Sequence, residues 1–298
     1  MRGRQRTRSR SFPSSSDTTR PVNELIVSHA TTALFVPGDR PDRFDRARAS
    51  GADLDIIDLE DAVPRDAKEA ARANAVRSLR DSDDSSRTVV RINVLDDGGL
   101  DDISALSSLG GSGWLRAVML PKAETEEQIE AVRSIVGPET AIIALIETVK
   151  GLRQVSRIAS HPGVVRLGFG ALDFSVDVDA SGSTLLDHAR CEIVLASRDA
   201  GISAPFESPI PDFRDLEALG VSARRSRGLG FGGQLCIHPA QVSVVAAAFL
   251  PTAEERGWAE RIMAATQGGV TQVDGAMVDR PVLLRAQAIL ARWARAES

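Results

Sequence analysis

The chain has 298 residues, 43% of them hydrophobic and 26% charged, with a formal net charge of −5. This composition supplies the apolar surface of a full core, and no run approaches the roughly 20 uninterrupted apolar residues of a membrane-spanning helix, so a soluble globular protein is expected. Residues 1–20 hold six Arg against one acid, Asp17, which leaves −10 for residues 21–298; an acidic body argues against nucleic acid as a partner.

The opening stretch MRGRQRTRSRSFPSSSDTTR is rich in Arg and Ser and nearly free of apolar side chains. It cannot offset the entropy of ordering by burial, so residues 1–30 are assigned to a disordered N-terminal arm. An organellar transit peptide has similar composition, but only Met1 and Phe12 would form the apolar face of its helix.

From residue 31 short apolar runs alternate with stretches of helical period. The runs are Thr32–Gly38, Asp53–Asp61, Thr88–Val94, Ala117–Lys122, Ala141–Thr148, Val164–Phe174, Ile202–Phe206 and Gly233–His238. Helices are predicted between them at Pro64–Arg80, Thr125–Val136, Leu185–Asp199 and Asp212–Ser226. Near-continuous apolar strands separated by helices indicate a parallel sheet covered on its outer face, and eight such units make a closed (β/α)₈ TIM barrel over residues 31–250. No GxGxxG turn follows the first run, which argues against an open dinucleotide-binding sheet. Three further helices, Ala240–Phe249, Ala253–Thr266 and Arg280–Ala296, exceed what a barrel needs, so residues 251–298 form a C-terminal helical extension.

Cys191 and Cys236 have no CxxC or Cys/His spacing around them and read as reduced thiols of a cytoplasmic protein.

A barrel of this kind builds its site at the carboxyl ends of its strands. The second run closes in Asp58, Glu60 and Asp61, the third in Arg91 and Asn93, the fourth in Lys122 and Glu124, the fifth in Glu147 and the sixth in Asp173. Any one of these charges could simply mark the entry to a solvated loop; their recurrence around the ring points to a site. Glu147 and Asp173 end adjacent strands, and two converging carboxylates with open positions suit Mg²⁺; with no His or Cys nearby, a hard cation is favoured over Zn²⁺. Arg91 offers a forked cation to a carboxylate or enolate oxygen. Lys122 either pairs with Glu60 or Asp61, orienting the site from behind, or touches substrate directly. Arg40 and Arg43, beside a Gly and two Pro after the first run, suit a phosphate-bearing carrier or are helix-start arginines in solvent.

The segments LFVPGDRPDRF, DIIDLEDAV, VVRINVLD, VMLPKAE, IIALIET, LGFGALDF, GGQLCIHPAQV and MVDRPVLLRAQ occur in an order that resembles the citrate lyase β-subunit-like proteins of the HpcH/HpaI aldolase group, from about Thr32 to Ala296. The resemblance implies a TIM barrel that is usually a homotrimer, with Mg²⁺ on Glu147 and Asp173, Arg91 on the substrate, and Asp279 acting in catalysis from an adjacent subunit. It implies a lyase that cleaves a 3-hydroxyacyl thioester, carried on CoA or an acyl-carrier protein, to an acyl thioester and a 2-oxo acid. Malyl-CoA-type thioesterase, the reverse condensation, and a noncatalytic acyl-CoA-binding barrel are the alternatives. Asp279 precedes Arg280-Pro281, so an ordinary helix cap is a second role for it. Where members of the group often carry Asp-Gly after the Pro of strand seven, this chain reads Pro205-Phe206-Glu207-Ser208-Pro209, and a reshaped acyl pocket is expected.

Overall fold

The computed structural model describes residues 22–82, 85–109, 115–180, 182–267, 272–273 and 276–297. In chain order α1 (Val22–His29) leads to β1 (Thr32–Pro37), α2 (Phe44–Arg48), β2 (Leu54–Asp58), α3 (Lys68–Asp81), β3 (Thr88–Arg91) and α4 (Gly99–Ser107). Next come β4 (Ala117–Leu120), α5 (Glu126–Val136), β5 (Ala141–Ile146), α6 (Val149–Ser160), β6 (Val164–Phe169), α7 (Ala171–Asp177) and α8 (Ser183–Ala200). The ring is completed by β7 (Ser203–Glu207), α9 (Leu216–Leu229), β8 (Gly233–Cys236) and α10 (Pro239–Phe249).

The eight strands close in sequence order, each parallel to its neighbour, with Thr32 of β1 returning to Gln234 of β8. Because side chains alternate along a strand, one set fills the barrel and the other faces the helices. Leu54, Ile56, Val89, Met119, Ile143, Leu145 and Phe206 make the interior, while Leu34, Ile57, Val90, Val118 and Ile142 pack beneath the helical layer. The expected (β/α)₈ barrel is therefore the fold.

The predicted N-terminal arm needs correction at its inner end. Residues 1–21 lie outside the described residues, but α1 covers the amino-terminal end of the barrel, and Val27 and Ala30 are buried in its interior cluster. Their apolar side chains give this short helix the burial that the Arg/Ser stretch lacks. Arg166, rising from the floor of the barrel, fastens it: Nη1 donates to the carbonyls of Val27 at 2.9 Å and Ala30 at 2.6 Å, and Nε donates to that of Ala204 at 2.8 Å.

Beyond the barrel, α11 (Ala253–Gln267), the short antiparallel pair β9 (Gln272–Val273) and β10 (Ala276–Met277), and α12 (Arg280–Glu297) form the C-terminal arm. Ala259, Ile262, Ala286 and Ile289 join α11 to α12 in a small core of their own. Cys191 is exposed and Cys236 buried, both as free thiols. No helix among the described residues is long and apolar enough to cross a membrane.

Candidate functional site

The charges that close the strands converge at the carboxyl ends of β2 to β6. The register pairs Asp58 of β2 with Arg91 of β3, and their side chains meet there: Arg91 donates from Nε to Asp58 Oδ1 at 2.8 Å and from Nη2 to Oδ2 at 2.6 Å. Asp58 is fully buried and also accepts the backbone N–H groups of Glu60 and Ala62. It thereby fixes the turn that presents Glu60. Arg91 Nη1 lies 2.8 Å from Glu60 Oε2, an ion pair off the hydrogen-bond axis, and 3.9 Å from the exposed Asp61. Its guanidinium covers the Phe35 ring at 4.7 Å. Burial opposes the charge on Arg91, but Asp58 and Glu60 outweigh it and raise its pKa above the ordinary arginine value.

Lys122 links the two halves of the cluster. Its backbone sits at φ 45°, a conformation uncommon for a residue with a side chain, and turns its N–H onto Glu147 Oε2 at 2.9 Å. Its Nζ lies 3.3 Å from Glu60 Oε1 and 3.8 Å from Asp173 Oδ1. The pairing with Glu60 is thus present. Burial alone would lower the pKa of Lys122, yet Glu60, Glu147 and Asp173 together raise it.

Glu147, just past β5, is 4% exposed. Burial pushes its carboxyl up to about 8; Glu60 and Asp173 add to the shift, while Arg91 and the Lys122 N–H oppose it. Burial likewise raises Glu60, against Arg91 and Lys122. Gly170, at the end of β6, packs directly on Glu147: a Cβ there would stand 2.4 Å from Oε1 and 2.8 Å from Cδ. Asp173 is not on β6, as the apolar run through Phe174 had predicted. The strand stops at Phe169 and Asp173 lies in the first turn of α7, partly exposed. Ser208 Oγ accepts the Ala171 N–H at 2.9 Å and holds that turn. Among the described residues no group of three or more His, Cys, Asp or Glu is arranged to hold a metal.

The remaining predicted residues lie further out. Arg40, in the loop after β1, is engaged by Asp42 through Nε at 3.0 Å and Nη2 at 2.9 Å, and Arg43 is exposed on the same turn. Asp279 is exposed and caps α12, its Oδ1 accepting the Val282 N–H at 3.1 Å. Within the departure after strand seven, the Glu207 side chain turns away from the mouth: it is buried against α8 and α9, accepting from Arg190 Nε at 2.8 Å and Ser226 Oγ at 2.9 Å.

These features define a TIM barrel with an oxygen-rich, carboxylate-lined site at the carboxyl ends of its strands. Residues 31–239 match the model of the HpcH/HpaI aldolase/citrate lyase family, and the chain belongs to that family. It is 38% identical over 276 residues to a citrate lyase subunit beta-like protein of Mycobacterium tuberculosis, covering 89% of this chain and 96% of the other. It is 30% identical over 272 residues to a (3S)-malyl-CoA thioesterase of Cereibacter sphaeroides, covering 88% and 93%. The crystal structure of the protein CitE from Mycobacterium tuberculosis in complex with magnesium, acetoacetate and coenzyme A superposes with a TM-score of 0.78 at 34% identity, covering 90% of this chain and 99% of that one.

Proposed function

We propose that the chain is a Mg²⁺-dependent carbon–carbon lyase that cleaves a small 3-hydroxyacyl thioester into a shorter acyl thioester and a 2-oxo acid. The observation that carries this reading is the buried Glu147, crowded by Glu60 and Asp173 and cradled by Gly170. Such an excess of buried negative charge is costly without a cation, and an all-oxygen donor set suits a hard divalent ion. The residues therefore fit the magnesium crystallised with the related CitE. Glu147 and Asp173 would hold the ion, which when bound supplies Lewis acidity to the hydroxyl and carboxylate oxygens of the substrate.

The chain's own residues do the rest. Arg91, with Nε and Nη2 on Asp58 and Nη1 beside Glu60, keeps N–H groups on its terminal nitrogens for the carbonyl oxygen of the thioester. Lys122 holds Glu60 and Glu147 in place and contributes positive charge next to the substrate carboxylate. Arg40 and Arg43 face the phosphates of a coenzyme A-like carrier, Arg40 exchanging Asp42 for phosphate. Asp279 takes the hydroxyl proton from an adjacent subunit of a homotrimer while its Oδ1 caps α12. The exposed Met277 and Leu284 on either side of it supply apolar surface for such a contact.

A second reading, thioester hydrolysis on the same residues, is favoured by the similarity to the (3S)-malyl-CoA thioesterase. An NMR product analysis with citramalyl-CoA and malyl-CoA in the presence of Mg²⁺ separates the two. A lyase yields pyruvate or glyoxylate with an acyl-CoA; hydrolysis yields free CoA and the intact hydroxy acid. Turnover of neither thioester, with saturable binding retained, would favour a noncatalytic binding barrel.

A further inference from the structure

At the amino-terminal end of the barrel, opposite the site described above, α1, the β6 and β7 starts, the α9–β8 turn and α12 enclose a cavity of about 920 Å³. Its walls carry Arg87, Arg166, Arg227 and Arg292 against a single carboxylate, Asp53. Asp53 is already occupied, since its Oδ2 accepts the backbone N–H groups of Thr31 and Thr32 at 2.7 and 2.9 Å and the Thr32 hydroxyl at 3.1 Å.

Several donors on these walls have no hydrogen-bond partner among the described residues. Arg166 is 1% exposed and has no carboxylate in contact; Nε and Nη1 go to backbone carbonyls and its face stacks on Phe206 at 3.5 Å, leaving Nη2 without a hydrogen-bond partner among the described residues. Burial lowers its pKa to about 9, with Asp53 opposing the shift. Ser28 Oγ and Arg227 Nε are buried and likewise unpartnered, although Arg227 Nη2 pairs with Glu255 at 2.6 Å. Arg87, exposed at the rim, makes a long 3.4 Å contact to the Ala52 carbonyl among the described residues. Buried donors are normally satisfied, so these unpartnered groups, beside the Arg87 and Arg166 guanidinium groups that contact no carboxylate among the described residues, call for an acceptor with several oxygens and negative charge.

We propose that this cavity binds an organic phosphate, its phosphoryl oxygens on Arg166, Arg227, Arg87 and Ser28 and its apolar part against Phe231 and Phe249. Arginine forks match the phosphoryl geometry, and the volume exceeds that of an inorganic ion. Residues 1–20 do not complement the cavity, because their six Arg and one Asp give them the same sign of charge. The site is independent of the activity proposed above.

The test is calorimetric titration of the full chain with inorganic phosphate and with phenyl phosphate. Phenyl phosphate should bind saturably at one site, more tightly than inorganic phosphate. Arg87→Gln and Arg227→Gln should each weaken it by about tenfold or more, the loss of one charge-assisted contact. Ser28→Ala should weaken it less, with its thermal midpoint in the absence of ligand unchanged. Arg40→Gln combined with Arg43→Gln, at the opposite end of the barrel, should bind as the parent does. No saturable binding, or binding that survives Arg87→Gln and Arg227→Gln, overturns the proposal, and loss in the Arg40/Arg43 double variant would place the ligand at the opposite end of the barrel.

Discussion

Replacing Gly170 by alanine tests whether the geometry around Glu147 is a metal-binding geometry. The backbone of Gly170, at φ −101°, is open to any residue, so the substitution acts through space alone. The new methyl would stand 2.4 Å from Glu147 Oε1, 2.5 Å from Cγ and 2.8 Å from Cδ. Ordinary contact is about 3.5 Å, so the carboxylate must retreat by roughly 1 Å or the end of β6 must move. Forcing a methyl into such a space costs about 1–3 kcal/mol of stability. A displacement of that size at a reacting centre lowers the rate by about 10²-fold. Gly182→Ala is the control, because that glycine has φ −73° and a Cβ there meets nothing within 4 Å. Denaturant unfolding and Mg²⁺ calorimetry on both variants provide the assay: Gly170→Ala should lose both stability and metal affinity, and Gly182→Ala neither. Parental Mg²⁺ affinity in Gly170→Ala would refute the role given to Glu147.

Protonation should compete with the metal. The folded, metal-free protein keeps the Glu147 proton to about pH 8, whereas the unfolded chain releases it near 4.5, so stability from this group falls as pH rises between those values and is level above them. Mg²⁺ affinity should rise over the same window by up to about tenfold per pH unit and then flatten, and calorimetry in buffers of different ionisation enthalpy should show proton release at pH 7 that vanishes by about pH 9. Arg91→Lys keeps the charge but loses the fork on Asp58; denaturant melts should show a loss of about 2 kcal/mol and kinetics a fall in kcat/KM of more than about tenfold, and an unchanged unfolding midpoint would contradict the observed pairing. Asp279→Asn should keep its thermal midpoint, since Asn caps as well as Asp, while activity collapses. Subunit exchange with Glu147→Ala should restore activity, and exchange confirmed by mass with no recovery would remove the role in trans.

The barrel was legible because each strand is a continuous apolar run bounded by Gly, Pro or charge, which is how a strand covered on both faces reads. Asp173 reads as part of a strand because VVRLGFGALDF has no polar residue between Arg166 and Asp173; the break is Gly170, whose small size serves Glu147 rather than a turn. That need is a distance across β5 and β6 and leaves no periodic trace. Helix α1 was hidden by its eight residues and by the polar stretch before it. The Asp58–Arg91 pair had a usable signal, since both close consecutive parallel strands and in-register neighbours meet. Arg166 had one too: a charge inside the apolar run VVRLGF must find partners within the barrel, and it finds the carbonyls of α1. Glu207 read as a change in the acyl pocket because sequence gives no direction to a side chain at a strand end; Arg190 and Ser226 draw it outward.

Titration of Mg²⁺ into the parent protein, Glu147→Ala and Asp173→Ala at pH 8 tests most directly whether Glu147 and Asp173 form one metal centre. The parent should bind one ion per chain, and each variant should lose that binding while retaining a cooperative thermal transition. Undiminished Mg²⁺ affinity in either folded variant would contradict it.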